Sequence, residues 1–177
     1  MLNIIKSQAM ESKKIKFIDL FAGLGGIRLG FENVFKGLGY ETECVMTSEI
    51  KPYAVQTLRH NFKHDFLVGD IFGIRNEFIP DFDFLLGGFP CQPFSSSGKR
   101  QGFIDTRGTL FFEIERILRE KRPYGFILVN VEGLVKHDLE NKNDEIGRTL
   151  STILHTLEND LGYNVSWRVF DSIEFGL

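Results

Sequence analysis

Cys91 is the residue of this sequence whose surroundings best suit covalent chemistry. It lies in the stretch Gly-Gly-Phe-Pro-Cys-Gln-Pro-Phe-Ser (87–95), directly after an apolar run at 82–86 that predicts the end of a buried strand. Two glycines permit a sharp turn, and Pro90 and Pro93 restrict both their own backbone angles and those of the preceding residues. The sequence therefore predicts a thiol on a stiff loop at the carboxyl end of a strand, where open α/β sheets bind ligands.

The reactivity of this thiol has two readings. A free cysteine is more often a buried core residue than a nucleophile. The polar stretch after Cys91 includes Lys99 and Arg100, whose charges can lower the pKa of a nearby thiol, although the same stretch also suits a solvated loop. The flanking prolines and the Gly-Gly turn favour the nucleophile.

Composition limits the classes of protein to which the chain can belong. Its 177 residues suit one domain with a sizeable core, preceded by a flexible leader at 1–14 that lacks the apolar region of a signal peptide. A net charge of -3 argues against a stand-alone nucleic-acid binder, because contacts with phosphates are made mainly by Lys and Arg. Two cysteines provide no disulfide framework, which fits a reducing cytoplasm, and no apolar run approaches the roughly 20 residues that span a bilayer.

The first half of the chain alternates strand and helix patterns. Strands are predicted at 16–21, 43–48 and 66–68, with helices at 27–38 and 52–62 between them. Leu29, Phe31, Val34 and Phe35 are predicted to face inward from the first helix. This βαβαβ order predicts an α/β fold with a mostly parallel, doubly wound sheet. The second half predicts a helix at 109–120, a central strand at 125–131, a helix at 143–161 and a last strand at 165–170.

Glu49 follows the second predicted strand, where a carboxylate can bind the hydroxyls of a ribose. The alternative is an ordinary surface glutamate. The turn after the first strand reads Gly-Leu-Gly-Gly (23–26) rather than the G-x-G-x-x-G of a dinucleotide site, which disfavours a nicotinamide-dependent oxidoreductase. The pattern suits S-adenosylmethionine better, because that cofactor has no pyrophosphate for a helix amino terminus to bind.

Three stretches together resemble the DNA cytosine-5 methyltransferase family: 17–26 (FIDLFAGLGG), 87–112 with its Pro-Cys pair, and 129–134 (VNVEGL). The resemblance implies the Rossmann-like fold of S-adenosylmethionine-dependent methyltransferases. It further implies that Phe21 packs on the adenine, that Gly23 and Gly25 approach the methionine portion, and that Glu49 holds the ribose. By the same resemblance Asp70, Ile71 and Leu110 contact the cofactor, although Leu110 is equally consistent with a plain core leucine.

The family's chemistry assigns roles to a second group of residues. Within the Pro90-Cys91 pair, the Cys91 thiolate adds to C6 of a flipped-out cytosine, so that C5 can accept a methyl group. A glutamate directly before Asn-Val serves the family as general acid near N3; this sequence has Val129 before a supporting Asn130. Valine donates no proton, so low activity is predicted. The resemblance also implies DNA contacts from Ser95, Lys99, Arg100 and Arg107, and it implies no metal.

The resemblance stops before the family's arginine-bearing motif, its DNA-recognition domain and its late segment that completes the cofactor pocket. We therefore expect an incomplete catalytic domain at 15–177 that binds DNA weakly alone and that is inactive or needs a second polypeptide. The alternative is a catalytically dead subunit of the same fold that binds cofactor or a partner protein.

Overall fold

A computed structural model of the chain describes residues 14–63, 66–89, 109–139, 141 and 144–176. Residues 1–13 of the predicted leader lie outside this range. The described residues contain a parallel sheet in the order β3-β2-β1-β4-β5. Its strands are β1 (Ile15–Leu20), β2 (Thr42–Ser48), β3 (Leu67–Val68), β4 (Phe84–Gly87) and β5 (Gly125–Leu128). The prediction of an α/β fold with a mostly parallel sheet is confirmed.

Helices connect the strands. They are α1 (Gly26–Gly37), α2 (Pro52–Asn61), α3 (Thr109–Lys121) and α4 (Arg148–His155), with a π-helical turn at Thr156–Asp160 and shorter 3-10 helices at Ile71–Gly73, Asn76–Phe78, Glu132–Leu134 and Ser172–Phe175. Pro52 is the first residue of α2, a position where its missing N–H costs no helical hydrogen bond.

Apolar side chains cover both faces of the sheet. Along β1, Phe17 packs with Phe31 of α1 on one face, whereas Ile18 joins the cluster that contains Ile114 and Ile117 of α3 on the other. Alternate residues of a strand point to opposite faces, so the central strand is buried from both sides. This double burial holds the carboxyl end of the sheet rigid, and the candidate site lies there.

The inward prediction for α1 was wrong for two residues. Phe31 is buried, but Leu29 and Val34 are 53% and 61% exposed. The face that contacts the sheet repeats at four residues, through Ile27, Phe31 and Phe35. Leu29 lies two residues from Ile27 and from Phe31 and therefore points away from the sheet, because a helix turns about 100° per residue.

The predictions for the second half of the chain need larger corrections. β5 is an end strand among the described residues, not a central one, and it stops at Leu128. Residues 165–170, predicted as a last strand, are not paired with any described strand and form no strand in this structure. The helix predicted at 143–161 begins at Arg148: Gly147 is extended, and its N–H donates to the Val135 carbonyl at 2.7 Å.

Candidate active site

The strand register brings the predicted site residues to one edge of the sheet. Leu20, the last residue of β1, lies opposite Ser48 and Gly87, which end β2 and β4. Val68 and Leu128 end the two outer strands in the same register. The residues that follow, in order across this carboxyl edge, are Asp70, Glu49, Phe21, Gly88 and Val129. The chain winds in opposite directions from β1 and β4, and such a switch point is where α/β sheets form their binding crevice.

The turn after β1 has an unusual backbone. Phe21, Gly23 and Gly25 all have positive φ angles, of 56°, 55° and 86°. A Cβ at Gly25 would lie 2.4 Å from the ring of Phe62, so this glycine permits α2 to pack against the turn. A Cβ at Gly23 would meet no atom within 4 Å. The turn is therefore tightly packed on its inner side at Gly25 and open at Gly23, where a ligand has room.

Glu49 holds this turn against β2. Its Oε2 accepts a hydrogen bond from the Gly23 N–H at 2.7 Å, and its Oε1 accepts one from the Lys51 N–H at 2.8 Å. The residue is only 7% exposed and is not the ordinary surface glutamate of the alternative interpretation. A carboxylate offers about four lone-pair sites, so Glu49 keeps acceptor capacity for ligand hydroxyls.

Asp70, Ile71 and Leu110 occupy different environments. Asp70 is exposed, and its Oδ1 accepts a hydrogen bond from the Phe72 N–H at 3.0 Å. Ile71 is 1% exposed and belongs to the core. Leu110 is half-buried and packs against the same core cluster. The carboxylate of Asp70 is thus the most accessible group of the three, and the position of Leu110 suits both a core and a ligand-contacting residue.

Asp19 is a buried acid that the sequence reasoning missed. It is 1% exposed, and neither carboxylate oxygen has a hydrogen-bond partner among the described residues. Burial raises its pKa from 3.8 to about 7; Arg28 acts in the opposite direction, and Glu32 and Glu49 add to the rise. The available clue was a charged residue inside the apolar run Phe-Ile-Asp-Leu-Phe.

Arg28 is the buried cation beside this acid. Its Nε donates to Glu32 Oε1 at 2.8 Å and its Nη2 donates to the Lys63 carbonyl at 3.3 Å. The guanidinium lies 4.3 Å from the ring centroid of Phe62, a cation–π geometry. Arg28 therefore links α1 to the end of α2 beneath the glycine turn.

The protonation of Asp19 makes stability depend on pH. Folded Asp19 binds its proton up to about pH 7 whereas the unfolded side chain loses it near its ordinary pKa of 3.8, so the folded state is progressively destabilised as pH rises through that window. We expect Asp19→Asn to flatten this dependence and to raise the free energy of unfolding above pH 7 by up to roughly 4 kcal/mol. Urea denaturation at several pH values between about 5 and 8 measures the slope of the free energy of unfolding against pH. The exposed Asp81→Asn is the control, and equal slopes in wild type and Asp19→Asn would contradict the prediction.

Asn130 connects the end of β5 to the start of the nucleophile loop. Its Nδ2 donates to the Phe89 carbonyl at 2.9 Å, and its Oδ1 accepts from the Val131 N–H at 2.9 Å. Phe89 is 6% exposed and lies against Phe111 of α3, with ring centroids 6.0 Å apart. The loop is thereby anchored at the residue two positions before Cys91.

Val129 lies at the same edge with 46% of its surface exposed, and its N–H donates to the Gly87 carbonyl at 2.9 Å.

The predicted loop residues lie outside the described residues: Pro90, Cys91, Ser95, Lys99, Arg100 and Arg107. In the part of the chain that the structure covers, no cluster of His, Cys, Asp and Glu suits a metal ion. None of its helices is long and apolar enough to cross a bilayer.

Two solved structures resemble this fold. A crystal structure of a Spodoptera frugiperda DNMT2 mutant superimposes with a TM-score of 0.58 at 24% identity and covers 81% of this chain and 40% of that one. The Dnmt2 methyltransferase of S. pombe gives a TM-score of 0.56 at 19% identity and covers 82% and 42%. At these identities the comparison establishes the fold, which is that of these methyltransferases.

Curated relatives are much closer in sequence. The type II methyltransferase M.NgoBV of Neisseria gonorrhoeae is 57% identical over 165 residues, which are 93% of this chain and 39% of the relative. M.BanI of Aneurinibacillus aneurinilyticus is 57% identical over 164 residues, covering 93% and 36%. The chain thus spans less than half of the length of these relatives. A family model described as C-5 cytosine-specific DNA methylase matches residues 15–177. The protein therefore belongs to the C-5 cytosine-specific DNA methylase family.

Proposed function

We propose that this chain is the cofactor-binding and nucleophile-bearing part of a DNA cytosine-5 methyltransferase, with S-adenosylmethionine as methyl donor. One observation carries the proposal. The parallel register gathers Asp70, Glu49 and Phe21 at one edge of the sheet, and on the same edge Asn130 anchors the loop that leads to Cys91.

The residues present fit such a cofactor. The open space at Gly23 admits a ligand close to the backbone, and Glu49 retains lone pairs for ribose hydroxyls. S-adenosylmethionine, when bound, supplies an electrophilic methyl group.

In the proposed mechanism Cys91 acts on a cytosine that has left the base stack. The thiolate Sγ forms a bond to C6, and the electron pair of the C5–C6 double bond moves into the ring, where C5 becomes nucleophilic. After C5 gains the methyl group, loss of the C5 proton to a base expels the thiolate and restores the double bond. Asn130 positions this loop through the Phe89 carbonyl, and Ser95, Lys99, Arg100 and Arg107 provide DNA contacts.

Val129 limits this mechanism. Negative charge builds on the ring as the thiolate adds, and a carboxylic acid near N3 normally supports it. Val129 stands in that position and has no proton to donate. We therefore propose that the chain as it stands is inactive or needs a second polypeptide.

The second candidate function, a catalytically dead subunit that binds cofactor or a partner, is favoured by this same valine. The DNA substrate and the methyl donor of the proposed methyltransferase both fit a cytoplasmic location.

The isolated chain is expected to give no measurable methylation of duplex DNA. Its net charge of -3 provides little attraction for phosphates, and the general acid is missing. Transfer of a tritiated methyl group to duplex DNA of mixed sequence measures the activity, with M.NgoBV as the positive control. Robust turnover by the chain alone would refute both the requirement for a partner and the inferred cost of Val129.

A further inference from the structure

Arg28 is a buried cation to which the proposed mechanism gives no role. It is 6% exposed, and an arginine is rarely buried unless its charge is paired. Its Nε donates to the Glu32 carboxylate on the same helix, and its Nη2 donates to the Lys63 carbonyl just after α2. The guanidinium is planar and rigid, so these two bonds together fix the orientation of its plane.

The fixed guanidinium covers an aromatic ring that reaches the glycine turn. Its Cζ lies 4.3 Å from the ring centroid of Phe62 and 5.9 Å from that of Phe17 in β1. At its edge, the Phe62 ring would meet a Cβ placed on Gly25, with the Cζ of the ring 2.9 Å from it. The ring therefore packs directly against the backbone of this glycine. We call this arrangement of Arg28, Phe62 and Gly25 the turn stack.

Gly25 is the point of the turn at which such packing has the largest effect. It precedes α1 as the N-cap residue with a φ of 86°, and its N–H donates to the Ala22 carbonyl at 2.9 Å. A glycine adopts positive and negative φ about equally well, so its own covalent structure does not keep it in this conformation. Packing of the Phe62 ring restricts that freedom and holds the shape of the turn, including the open position at Gly23.

The segment that contains α2 contacts the turn from both of its ends. Before α2, Glu49 accepts a hydrogen bond from the Gly23 N–H. After α2, Phe62 is the C-cap residue and packs at Gly25. If Phe62 moved away, the helix would keep only the first contact and could pivot about it. The direction of the Glu49 carboxylate toward a ligand thus depends on the contact at the far end of α2.

We propose that Arg28 is a positioning residue for the cofactor site, which acts through Phe62 to hold the glycine turn in the shape that admits S-adenosylmethionine. The inference rests on the proposed function for the identity of the ligand. Arg28 is too deeply buried to offer a ligand much surface, so its effect passes through the turn stack. A lysine cannot replace it, because an ammonium group is a point charge that does not stack on a ring while donating in two fixed directions.

Calorimetric titration with S-adenosylhomocysteine measures the effect in two variants. Arg28→Met removes the charge and the donors, whereas Arg28→Lys keeps the charge and removes the planar group. Both are expected to bind at least about tenfold more weakly, with the number of sites per chain unchanged. A residue with a merely structural role would lower the number of competent sites and leave the affinity of the folded molecules unchanged. That result, or full affinity in Arg28→Lys, would overturn the proposal; if Arg28→Met fails to fold, Arg28→Lys decides.

Arg75→Met is the matched control for this titration. Arg75 also lies over a phenylalanine, 4.8 Å from the ring centroid of Phe78, but its side chain is 70% exposed. We expect this variant to change the affinity less than twofold. An equal loss of affinity in the Arg75 and Arg28 variants would overturn the proposal.

A double-mutant cycle with Phe62→Leu tests the route through the ring. In the Phe62→Leu chain, the further change Arg28→Met is expected to weaken binding less than about threefold, because the ring through which Arg28 acts is already gone. An undiminished tenfold loss in that background would overturn the assignment of Phe62 as the intermediary.

Hydrogen exchange of the ligand-free chain separates this inference from the proposed function. In Arg28→Lys, amides of residues 21–26 are expected to exchange at least about fivefold faster than in the wild type, whereas those of 114–120 in α3 keep their rates. Equal exchange of 21–26 in the two proteins would overturn the proposal. An absence of saturable heat in the wild type would instead count against the proposed function, and exchange would then decide the role of Arg28 by itself.

Discussion

Val129→Glu is expected to raise the rate of DNA methylation about 10²- to 10⁴-fold in a chimera in which this chain replaces the matching part of M.NgoBV. The reason is the general acid, which stabilises the charge that develops on the ring when Cys91 adds to C6. Val129 is half exposed at the carboxyl edge, so a longer side chain is accommodated without displacing the core. Its backbone bond to Gly87 is unaffected by the change of side chain.

Two control variants separate proton donation from other effects. Val129→Gln has the shape of the glutamate but no acidic proton, and we expect it to stay near the activity of the valine chimera. Val131→Glu adds the same charge two residues along, on the same side of the chain, and should likewise give little gain. Single-turnover rates with saturating cofactor measure the effect. Equal rates for Val129→Glu and Val131→Glu would contradict the role assigned to this position.

Cys91→Ser is expected to abolish covalent capture of a 5-fluorocytosine oligonucleotide by the Val129→Glu chimera. After the thiolate has added to C6 and the methyl group has moved to C5, the fluorine cannot leave as the proton does. The S–C6 bond then persists and the complex migrates as one species in denaturing gels. A serine hydroxyl at this position is a far weaker nucleophile than a thiolate.

Cys44→Ser is the matched control for this experiment. The Cys44 thiol lies in β2, where it contacts the Met46 carbonyl at 3.4 Å and Thr47 Oγ1 at 3.3 Å, and burial raises its pKa. A thiol with a raised pKa is a poor nucleophile at neutral pH, so the adduct should survive its removal. An adduct that persists in Cys91→Ser, or one that is lost in Cys44→Ser, would show that Cys91 is not the nucleophile.

The first half of the fold could be predicted because the residues that begin and end its helices and strands act locally. The glycine turn after β1 and Pro52 at the start of α2 fix element boundaries within a few residues of sequence. The second half could not, because pairing of a strand depends on its neighbours. Residues 125–131 and 165–170 both have strand-like patterns. In the structure, however, β5 is an outer strand of the described sheet, and residues 165–170 pair with no described strand.

Some features of the candidate site could likewise be predicted from the sequence, whereas others depend on contacts between distant residues. Glu49 was predicted from its place after a strand, and the structure adds that its carboxylate holds the turn through Gly23. The relation of Asp19 to Arg28 was not predicted, because it depends on a helix folding back over the strand that precedes it. Asn130 was predicted as a supporting residue, but its bond to Phe89 spans 41 positions and is visible only in three dimensions.

Calorimetric titration of the chain with S-adenosylhomocysteine tests the cofactor site most directly. We predict saturable binding that weakens by at least about tenfold in Glu49→Ala, since charge-assisted hydrogen bonds contribute roughly 1.5–3 kcal/mol. Glu115→Ala on α3, remote from the carboxyl edge, should bind like wild type. An absence of saturable heat, or equal affinity in wild type and Glu49→Ala, would contradict a cofactor site at the carboxyl edge of this sheet.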